Sequence, residues 1–256
     1  MFTVMSPAKT MVEKSTRIKS GLTTPALMTE AMVLMDLLRA LSIDDIRSLM
    51  HVSDSLAEAT HQRFQAFETP LTALNARPAM LTYSGDAFRA LHAGSLEPEA
   101  LDWAQTRIGI LSGLFGLLRP LDLMQPYRLE MAARLNNPAG ANLYRYWGRQ
   151  ITGRINEILK DSRDRVLINL ASAEYSKAVR SDVLSAKMVT PAFFEYKGGR
   201  EIKVHSTAAK RARGLMVRFI IENRLESADA LKGFDLEGYA FVPDQSSGDT
   251  WVFSKK

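Results

Sequence analysis

The chain has no cysteine among its 256 residues, and this absence excludes several kinds of chemistry. Without a thiol there is no cysteine nucleophile, no thiol redox sensor, no Cys-held iron–sulfur cluster and no Cys-ligated structural zinc. Long apolar runs are missing as well. The longest charge-free apolar stretch lies between Arg107 and Arg119 and spans eleven residues, which is too short to cross a bilayer.

The first residues carry no secretory pattern, because no basic segment precedes the short apolar stretch of residues 1–5. We therefore expect a cytoplasmic protein without membrane association. A content of 46% hydrophobic and 24% charged residues is that of an ordinary globular protein rather than a disordered one. A chain of this length can also bury a sizeable core.

Positive charge is concentrated in two parts of the chain. The formal net charge is only +5, but residues 107–154 hold seven arginines against two acidic residues, and residues 201–224 hold six basic residues against two acidic ones. Residues 30–70 are acidic, with seven carboxylates against three arginines. This distribution indicates an anionic partner such as nucleic acid or a phosphorylated small molecule. The alternative is that the arginines only solvate helix faces.

Hydrophobic periodicity and turn signals predict a mixed order of strands and helices. The predicted strands cover residues 1–5, 79–83, 108–111, 166–170, 188–196 and 201–205, with two more flanking residues 246–249. The predicted helices cover residues 26–41, 43–50, 54–66, 97–105, 143–158 and 207–224. We expect an α/β fold of the mixed α+β type, formed by one compact domain over residues 1–256 with a helical subregion at about 25–66. The steady strand–helix alternation of a doubly wound sheet is not visible.

The predicted helix that begins at Thr207 carries the strongest candidate anion site. Lys210, Arg211 and Arg213 lie in its first two turns, ahead of Gly214. Amides at a helix N-terminus carry partial positive charge, so three cations beside them favour an anion and slightly disfavour the helix. Cations placed where they disfavour the helix, without a structural gain, are typical of a functional site.

The segment of residues 111–131 sets polar groups within an apolar frame that glycines and prolines make irregular. Arg119, Tyr127, Arg128 and Glu130 are among these groups. Two interpretations stay open. The side chains satisfy the irregular backbone, or Arg119 and Arg128 project into a cleft, where a guanidinium group suits phosphate.

Two short motifs suggest other chemistry. Ser6-Pro7-Ala8-Lys9 matches the S-x-x-K pattern of penicillin-recognising enzymes, but the Ser-Asp-Asn and Lys-Thr-Gly partners are missing. We therefore expect Lys9, after a strand-end turn, to face a cleft and meet an anion. Glu58 and His61 form a single Glu-x-x-His, whereas di-iron bundles need two such pairs. We expect no metal and no cofactor.

Several segments closely resemble the YaaA family of bacterial peroxide-stress proteins, in order and across essentially the whole chain. The resemblance rests on Ser6-Pro7-Ala8-Lys9-Thr10, Leu111-Ser112-Gly113-Leu114, Leu118-Arg119-Pro120-Leu121-Asp122, Gln125-Pro126-Tyr127-Arg128-Leu129-Glu130-Met131, Asn169-Leu170-Ala171-Ser172 with Glu174-Tyr175, and Ala212-Arg213-Gly214 running to Ile221-Glu222-Asn223-Arg224.

This resemblance implies a cytosolic protein that protects cells from peroxide and limits damage by unincorporated iron. It also implies DNA binding through a positively charged cleft and a helix–hairpin–helix element, within an unusual single-domain α/β fold. No catalytic residue follows from it. By length, the best hairpin candidate is the helix pair of residues 43–66, which turns at His51, Val52 and Ser53.

Our leading hypothesis is a peroxide-stress protein that contacts the phosphates of duplex or branched DNA with little base preference, and we expect a monomer. The residues predicted to contact DNA are Lys9, Arg119, Arg128, Lys177, Lys210, Arg211, Arg213 and Arg218. Further polar residues predicted for the cleft are Ser6, Thr10, Tyr127, Glu130 and Glu174. The alternative is an enzyme that acts on a nucleotide or nucleic-acid base in the same cleft, with Lys9, Arg119, Tyr127, Glu130 and Glu174 supplying charge and acid–base groups.

Overall fold

The structure is a computed structural model that describes residues 1–12, 21–197, 200–204 and 206–255. Its strands are β1 (Phe2–Met5), β2 (Thr10–Met11), β3 (Arg77–Pro78), β4 (Tyr83–Ser84), β5 (Ile108–Ser112), β6 (Gly116–Leu118), β7 (Leu123–Met124), β8 (Val166–Leu170), β9 (Lys187–Lys197), β10 (Arg200–Lys203), β11 (Tyr239–Phe241) and β12 (Thr250–Lys255). Its α-helices are α1 (Met28–Arg39), α2 (Ile43–Met50), α3 (Asp54–Gln65), α4 (Ala79–Thr82), α5 (Asp86–Leu91), α6 (Pro98–Ala104), α7 (Leu143–Trp147), α8 (Gln150–Lys160), α9 (Ala173–Ser176) and α10 (Ser206–Glu222).

One mixed sheet organises these elements, which confirms the predicted α/β class. Its strands follow the order β11-β12-β9-β8-β1-β5-β6, and β10 pairs with β9 beside this path. The five strands β12, β9, β8, β1 and β5 run parallel to one another, while β11 and β6 are antiparallel at the two ends. The parallel centre resembles a doubly wound sheet more than the sequence suggests.

Burial on both faces explains why the central strands are apolar along their whole length. Every residue of β1 and of β5 is buried, and β8 is buried from Leu167 onward. A parallel strand covered on both faces reads as a continuous apolar run rather than an alternating one. The three strands that the sequence predicts most directly therefore form the middle of the sheet.

The helical subregion follows its local sequence signals closely. Ser42 caps α2 and forms a complete capping box with Asp45, whose carboxylate accepts from the Ser42 amide. His51 ends α2 in the left-handed region with a φ of 51°. Arg47 then bridges Asp44 on its own helix and Asp54 at the start of α3, which holds the two helices together across the turn.

Two predicted elements differ from the observed ones. Residues 79–83 are predicted as a strand, but Ala79–Thr82 form a short helix, because the Ala79 and Met80 amides donate to the Asp122 and Pro120 carbonyls instead of to a neighbouring strand. The single helix predicted from Asn142 is broken into α7 and α8. Asn142 caps α7 as expected, but Gly148 takes a φ of 44° and ends it.

In the second half of the sheet, the strands predicted at 188–196 and 201–205 form a hairpin of β9 and β10, which are antiparallel with Arg200 opposite Lys197. Its turn at 198 and 199 lies outside the described residues, as does His205. Helix α10 begins at Ser206, so Thr207 lies inside the helix rather than capping it. None of the helices in the described part of the chain is long and apolar enough to span a membrane.

Helix α10 lies directly against α5, and Gly214 makes this approach feasible. A Cβ atom at position 214 would overlap the carbonyl oxygen of Ala87. The group that comes close to this glycine is the backbone of α5. The contact fixes the face of α10 that carries Lys210 and Arg213 beside the N-terminal half of the chain.

Candidate anion-binding cleft

The cleft opens at the carboxyl ends of the parallel strands β1 and β8. The chain places β5 on one side of β1 and β8 on the other, so the winding of the sheet reverses between β1 and β8. Ligands of open α/β sheets bind in the crevice at such a switch point. The residues that follow the two strands meet there, since the Ser172 amide donates to the Ser6 Oγ at 2.8 Å and the two hydroxyl oxygens lie 3.3 Å apart.

Four chain segments and one helix face enclose a volume of about 460 Å³. The segments are residues 5–11 after β1, residues 85–89 at the start of α5, residues 127–130, and the region of 170–175 after β8. Lys210 and Arg213 close the cleft from α10. Thr10 holds the first segment in place, because its hydroxyl donates to the Ser84 carbonyl next to α5.

Cations outnumber acids among the lining residues. The cations are Lys9, Arg89, Arg128, Lys210 and Arg213, and the acids are Asp86, Glu130 and Glu174. Glu130 sits between two of the cations, with its carboxylate 2.8 Å from the Lys9 Nζ and 3.2 Å from an Arg128 nitrogen. Asp86 pairs with Arg89 on the same helix. The arrangement leaves the cleft positively charged overall.

Two guanidinium groups in the cleft are incompletely paired. Arg213 is partly buried, and no hydrogen bond or ion pair of its side chain occurs within the described residues. Burial lowers the pKa of this arginine below its usual value, with no acidic group acting in the opposite direction. Arg128 is 15% exposed, and its Nε is buried with no hydrogen-bond partner among the described residues. Partly desolvated guanidinium groups with unused donors favour an anion at the site.

A chain of buried hydroxyl groups supports the base of the cleft. The Tyr127 hydroxyl lies 2.7 Å from both the Tyr83 hydroxyl and the Ser112 Oγ. Ser112 in turn accepts from the Phe115 amide at 2.8 Å. Burial raises the pKa of Tyr127 to about 12 and also raises the pKa of Tyr83. Both phenols therefore stay protonated at physiological pH and serve as neutral hydrogen-bonding groups.

Glu174 joins α9 to the segment that follows Glu130. Its side chain accepts from the Ala132 amide at 3.1 Å, and its backbone carbonyl accepts from the Tyr144 hydroxyl at 3.0 Å. The carboxylate is thus committed in part to holding the cleft together. Glu174 also belongs to the lining of the cleft, so its second carboxylate oxygen can accept a hydrogen bond from a ligand.

Comparison with known proteins gives a full-length match. The sequence model of the family described as peroxide stress protein YaaA matches residues 1–245. The chain belongs to the YaaA family. It is 46% identical to a UPF0246 protein of Aromatoleum aromaticum over 260 residues, covering the whole chain and 99% of that relative. It is also 47% identical to UPF0246 proteins of Burkholderia mallei and Burkholderia pseudomallei over 258 residues, with the same coverage.

Most of the cleft residues predicted for this YaaA-family chain lie together in the structure. They are Ser6, Lys9, Thr10, Tyr127, Arg128, Glu130, Glu174, Lys210 and Arg213. The segments that supply them are far apart in sequence and are joined by the sheet and by α10. Their roles in binding stay predictions.

Arg119 lies elsewhere, and the structure gives it a structural partner. It is absent from the cleft lining, and its Nη2 donates to the fully buried carboxylate of Asp122 at 2.9 Å. The same carboxylate accepts from the Arg119 amide at 2.7 Å and from the Thr23 hydroxyl at 2.6 Å. Of the two interpretations left open by the sequence, Arg119 thus fits the structural one, in which the Asp122 carboxylate binds both its guanidinium group and its backbone amide.

Three more of the predicted contact residues lie outside the cleft lining. Arg211 pairs with Glu237 at 3.0 Å on another face of α10. Arg218 donates to the Leu91 carbonyl and pairs with Glu222, so it fastens α10 to the end of α5. Lys177 places its ammonium group 4.8 Å from the centre of the Tyr144 ring. Their predicted contacts with DNA stay predictions.

Residues outside the predicted set also line the cleft. Ser172, Asp86 and Arg89 line it, yet none of them was predicted. Ser172 could have been found, since Ala171-Ser172 follows a predicted buried strand as Ser6-Pro7 follows β1. Arg89 carried no such signal, because its place depends on the packing of α5 against α10. No group of three or more His, Asp or Glu residues suited to a metal occurs in the part of the chain that the structure describes.

Proposed function

We propose that this YaaA-family protein binds the phosphate backbone of DNA at the mouth of the cleft and thereby limits iron-linked DNA damage during peroxide stress. The observation that carries the proposal is the convergence of exposed cations from separate parts of the chain. Lys9 comes from the turn after β1, Arg89 from α5 and Lys210 from α10. The side chains of Lys9 and Arg89 are 63% and 65% exposed, so they reach solvent at the rim.

Cations at a rim suit backbone contacts rather than base reading. Phosphate contacts hold a protein on the duplex without sequence information, and base readout needs an element that enters a groove. In the described part of the chain, the rim presents single cations from the turn after β1, from α5 and from α10, rather than a row of polar side chains on one element. We therefore expect binding with weak sequence preference.

Phosphate neutralisation also connects DNA binding with iron. A protein that neutralises phosphates releases the cations condensed on them. Fe²⁺ is such a cation, and its displacement moves peroxide chemistry away from the DNA. The absence of cysteine excludes protection by a thiol peroxidase or a thiol sensor.

The helix pair α2–α3 contributes less to the proposal. Its turn at His51, Val52 and Ser53 lies at the predicted position, but Asp44 and Asp54 flank it. Acidic side chains repel phosphate, and Arg47 is already paired with both carboxylates. We therefore place the main DNA contact at the cleft, with the hairpin as a secondary prediction.

The proposal predicts that Lys210→Ala weakens DNA binding and flattens its salt dependence. Loss of one phosphate contact changes the slope of log K against log salt by about 0.9. Fluorescence anisotropy with duplex and branched DNA at several salt concentrations measures both quantities. Arg211→Ala is the matched control, since it removes a cation from the same helix but outside the cleft. Equal effects of the two variants, or none, would contradict the placement.

A further inference from the structure

The interior of the cleft is built on a smaller scale than a DNA duplex. Its volume of about 460 Å³ falls within the range of roughly 300–1,000 Å³ that is typical of small-molecule sites. A duplex whose major groove alone is about 12 Å wide can touch the rim but cannot enter. Whatever binds inside is one compact unit.

The two arginines inside the cleft favour the binding of an anion there. Arg213 lines the cleft, is partly buried and has no hydrogen-bond or ion-pair partner among the described residues. Arg128 shares the carboxylate of Glu130 with Lys9, and its buried Nε has no hydrogen-bond partner in the part of the chain that the structure describes. A desolvated charge is costly unless it is paired. The planar donor fork of arginine fits the oxygens of a phosphate group.

Apolar side chains also line the cleft. Pro7, Ala8, Met11 and Ala87 form a partly exposed apolar wall in the lining that also holds the two arginines. Inorganic phosphate would satisfy the arginines but leave this wall in contact with water. A phosphate joined to a sugar and a flat base would bind the arginines and also cover the apolar wall. The Ser6 and Ser172 hydroxyls at the strand ends offer hydrogen bonds to the polar edges of the base or sugar.

We infer that the interior of the cleft binds one nucleotide unit, with its phosphate at Arg213 and Arg128 and its base against the apolar wall. The inference rests on the proposed function in one respect, since DNA held at the rim is one source of that unit. A nucleotide that leaves the base stack can reach an enclosed pocket while its neighbours stay on the surface. A free nucleoside monophosphate is the other source.

Two binding experiments distinguish these sources. Calorimetry with adenosine 5′-monophosphate, uridine 5′-monophosphate, adenosine and inorganic phosphate measures the isolated unit. Anisotropy compares a fully paired duplex with the same duplex carrying one unpaired nucleotide. We expect the monophosphates to bind more tightly than adenosine or phosphate. If DNA supplies the unit, the duplex with the unpaired nucleotide binds more tightly than the paired one.

Arg213→Gln tests the site itself, with Arg211→Gln as the matched control on the same helix. Loss of a charge-assisted phosphate contact lowers the affinity for the monophosphate, or for the unpaired nucleotide, by about tenfold. Arg211→Gln leaves it unchanged. Thermal unfolding followed by circular dichroism establishes that each variant is folded, and Arg128→Gln replaces Arg213→Gln if that variant is not.

The outcomes separate the inference from the proposed function. Binding of both duplexes with equal affinity, together with no monophosphate binding, overturns the inference and leaves rim binding of DNA intact. Monophosphate binding that is lost in Arg213→Gln, without any DNA binding, supports the inference and overturns the proposed function. Monophosphate binding that Arg213→Gln and Arg128→Gln both leave unchanged also overturns the inference, because the ligand then lies elsewhere.

Discussion

Asp122→Ala lowers the free energy of unfolding by about 3–5 kcal/mol, the cost of breaking a buried ion pair by removing one partner. The Asp122 carboxylate is fully buried and accepts from the Arg119 guanidinium, the Arg119 amide and the Thr23 hydroxyl. Removal of the carboxylate leaves all three donors without their acceptor. Urea denaturation followed by circular dichroism measures the change.

The control for this prediction is Asp182→Ala. Asp182 also pairs with an arginine, Arg180, at 2.7 Å, but both side chains are about half exposed. Solvent screens an exposed ion pair and leaves it little effect on stability, so this variant stays close to the parent. A similar small effect of Asp122→Ala would refute the structural role given to Asp122 and Arg119. Because neither residue lines the cleft, a folded fraction of Asp122→Ala retains the DNA affinity of the parent.

Gly214→Ala is the second variant with a large expected effect. The added Cβ overlaps the Ala87 carbonyl, and both groups belong to helix backbones that cannot yield as a side chain can. We expect a loss of about 1–3 kcal/mol from overpacking, measured by urea denaturation. Displacement of α10 from α5 also moves Lys210 and Arg213, so DNA affinity falls together with stability.

Gly153→Ala provides the opposite expectation. Gly153 lies inside helix α8, and a Cβ there meets nothing within 4 Å. Alanine is a better helix former than glycine by about 0.5–1 kcal/mol, so this variant gains stability. Both substitutions replace glycine with alanine, so opposite changes in the free energy of unfolding test the close approach of α5 to α10. A gain for both would contradict it.

Local signals in the sequence predict those parts of the fold that local physics determines. The bounds of α2 are predicted to the residue because Ser42 and Asp45 form a capping box. The buried strands β1 and β8 are predicted because burial on both faces leaves a continuous apolar run. Residues 79–83 are misread because their amides find partners near Asp122, more than forty residues away in the chain.

The candidate site depends still more on distant contacts. Lys9 is predicted to face a cleft because a turn after a buried strand leads to the edge of a sheet. The strand order that brings Ser172 beside Ser6 leaves no trace in either segment. Arg119 and Arg128 both lie in the segment of residues 111–131, where polar residues alternate irregularly with apolar ones, yet only Arg128 lines the cleft. Arg119 is held away from the cleft by the buried carboxylate of Asp122, and the sequence alone does not show that this carboxylate is buried.

The most direct test of the central claim is the DNA affinity of Glu130→Gln. Glu130 is the acid that pairs with both Lys9 and Arg128, so its carboxylate competes with phosphate for the cations. Glutamine keeps the shape and removes the charge. A repulsion of about 1 kcal/mol at solvent-like screening corresponds to about fivefold in affinity. We predict that Glu130→Gln binds duplex DNA about fivefold more tightly at low salt, a gain that misfolding cannot produce. Unchanged or weaker binding by the folded variant would contradict the claim that phosphate binds in this cleft.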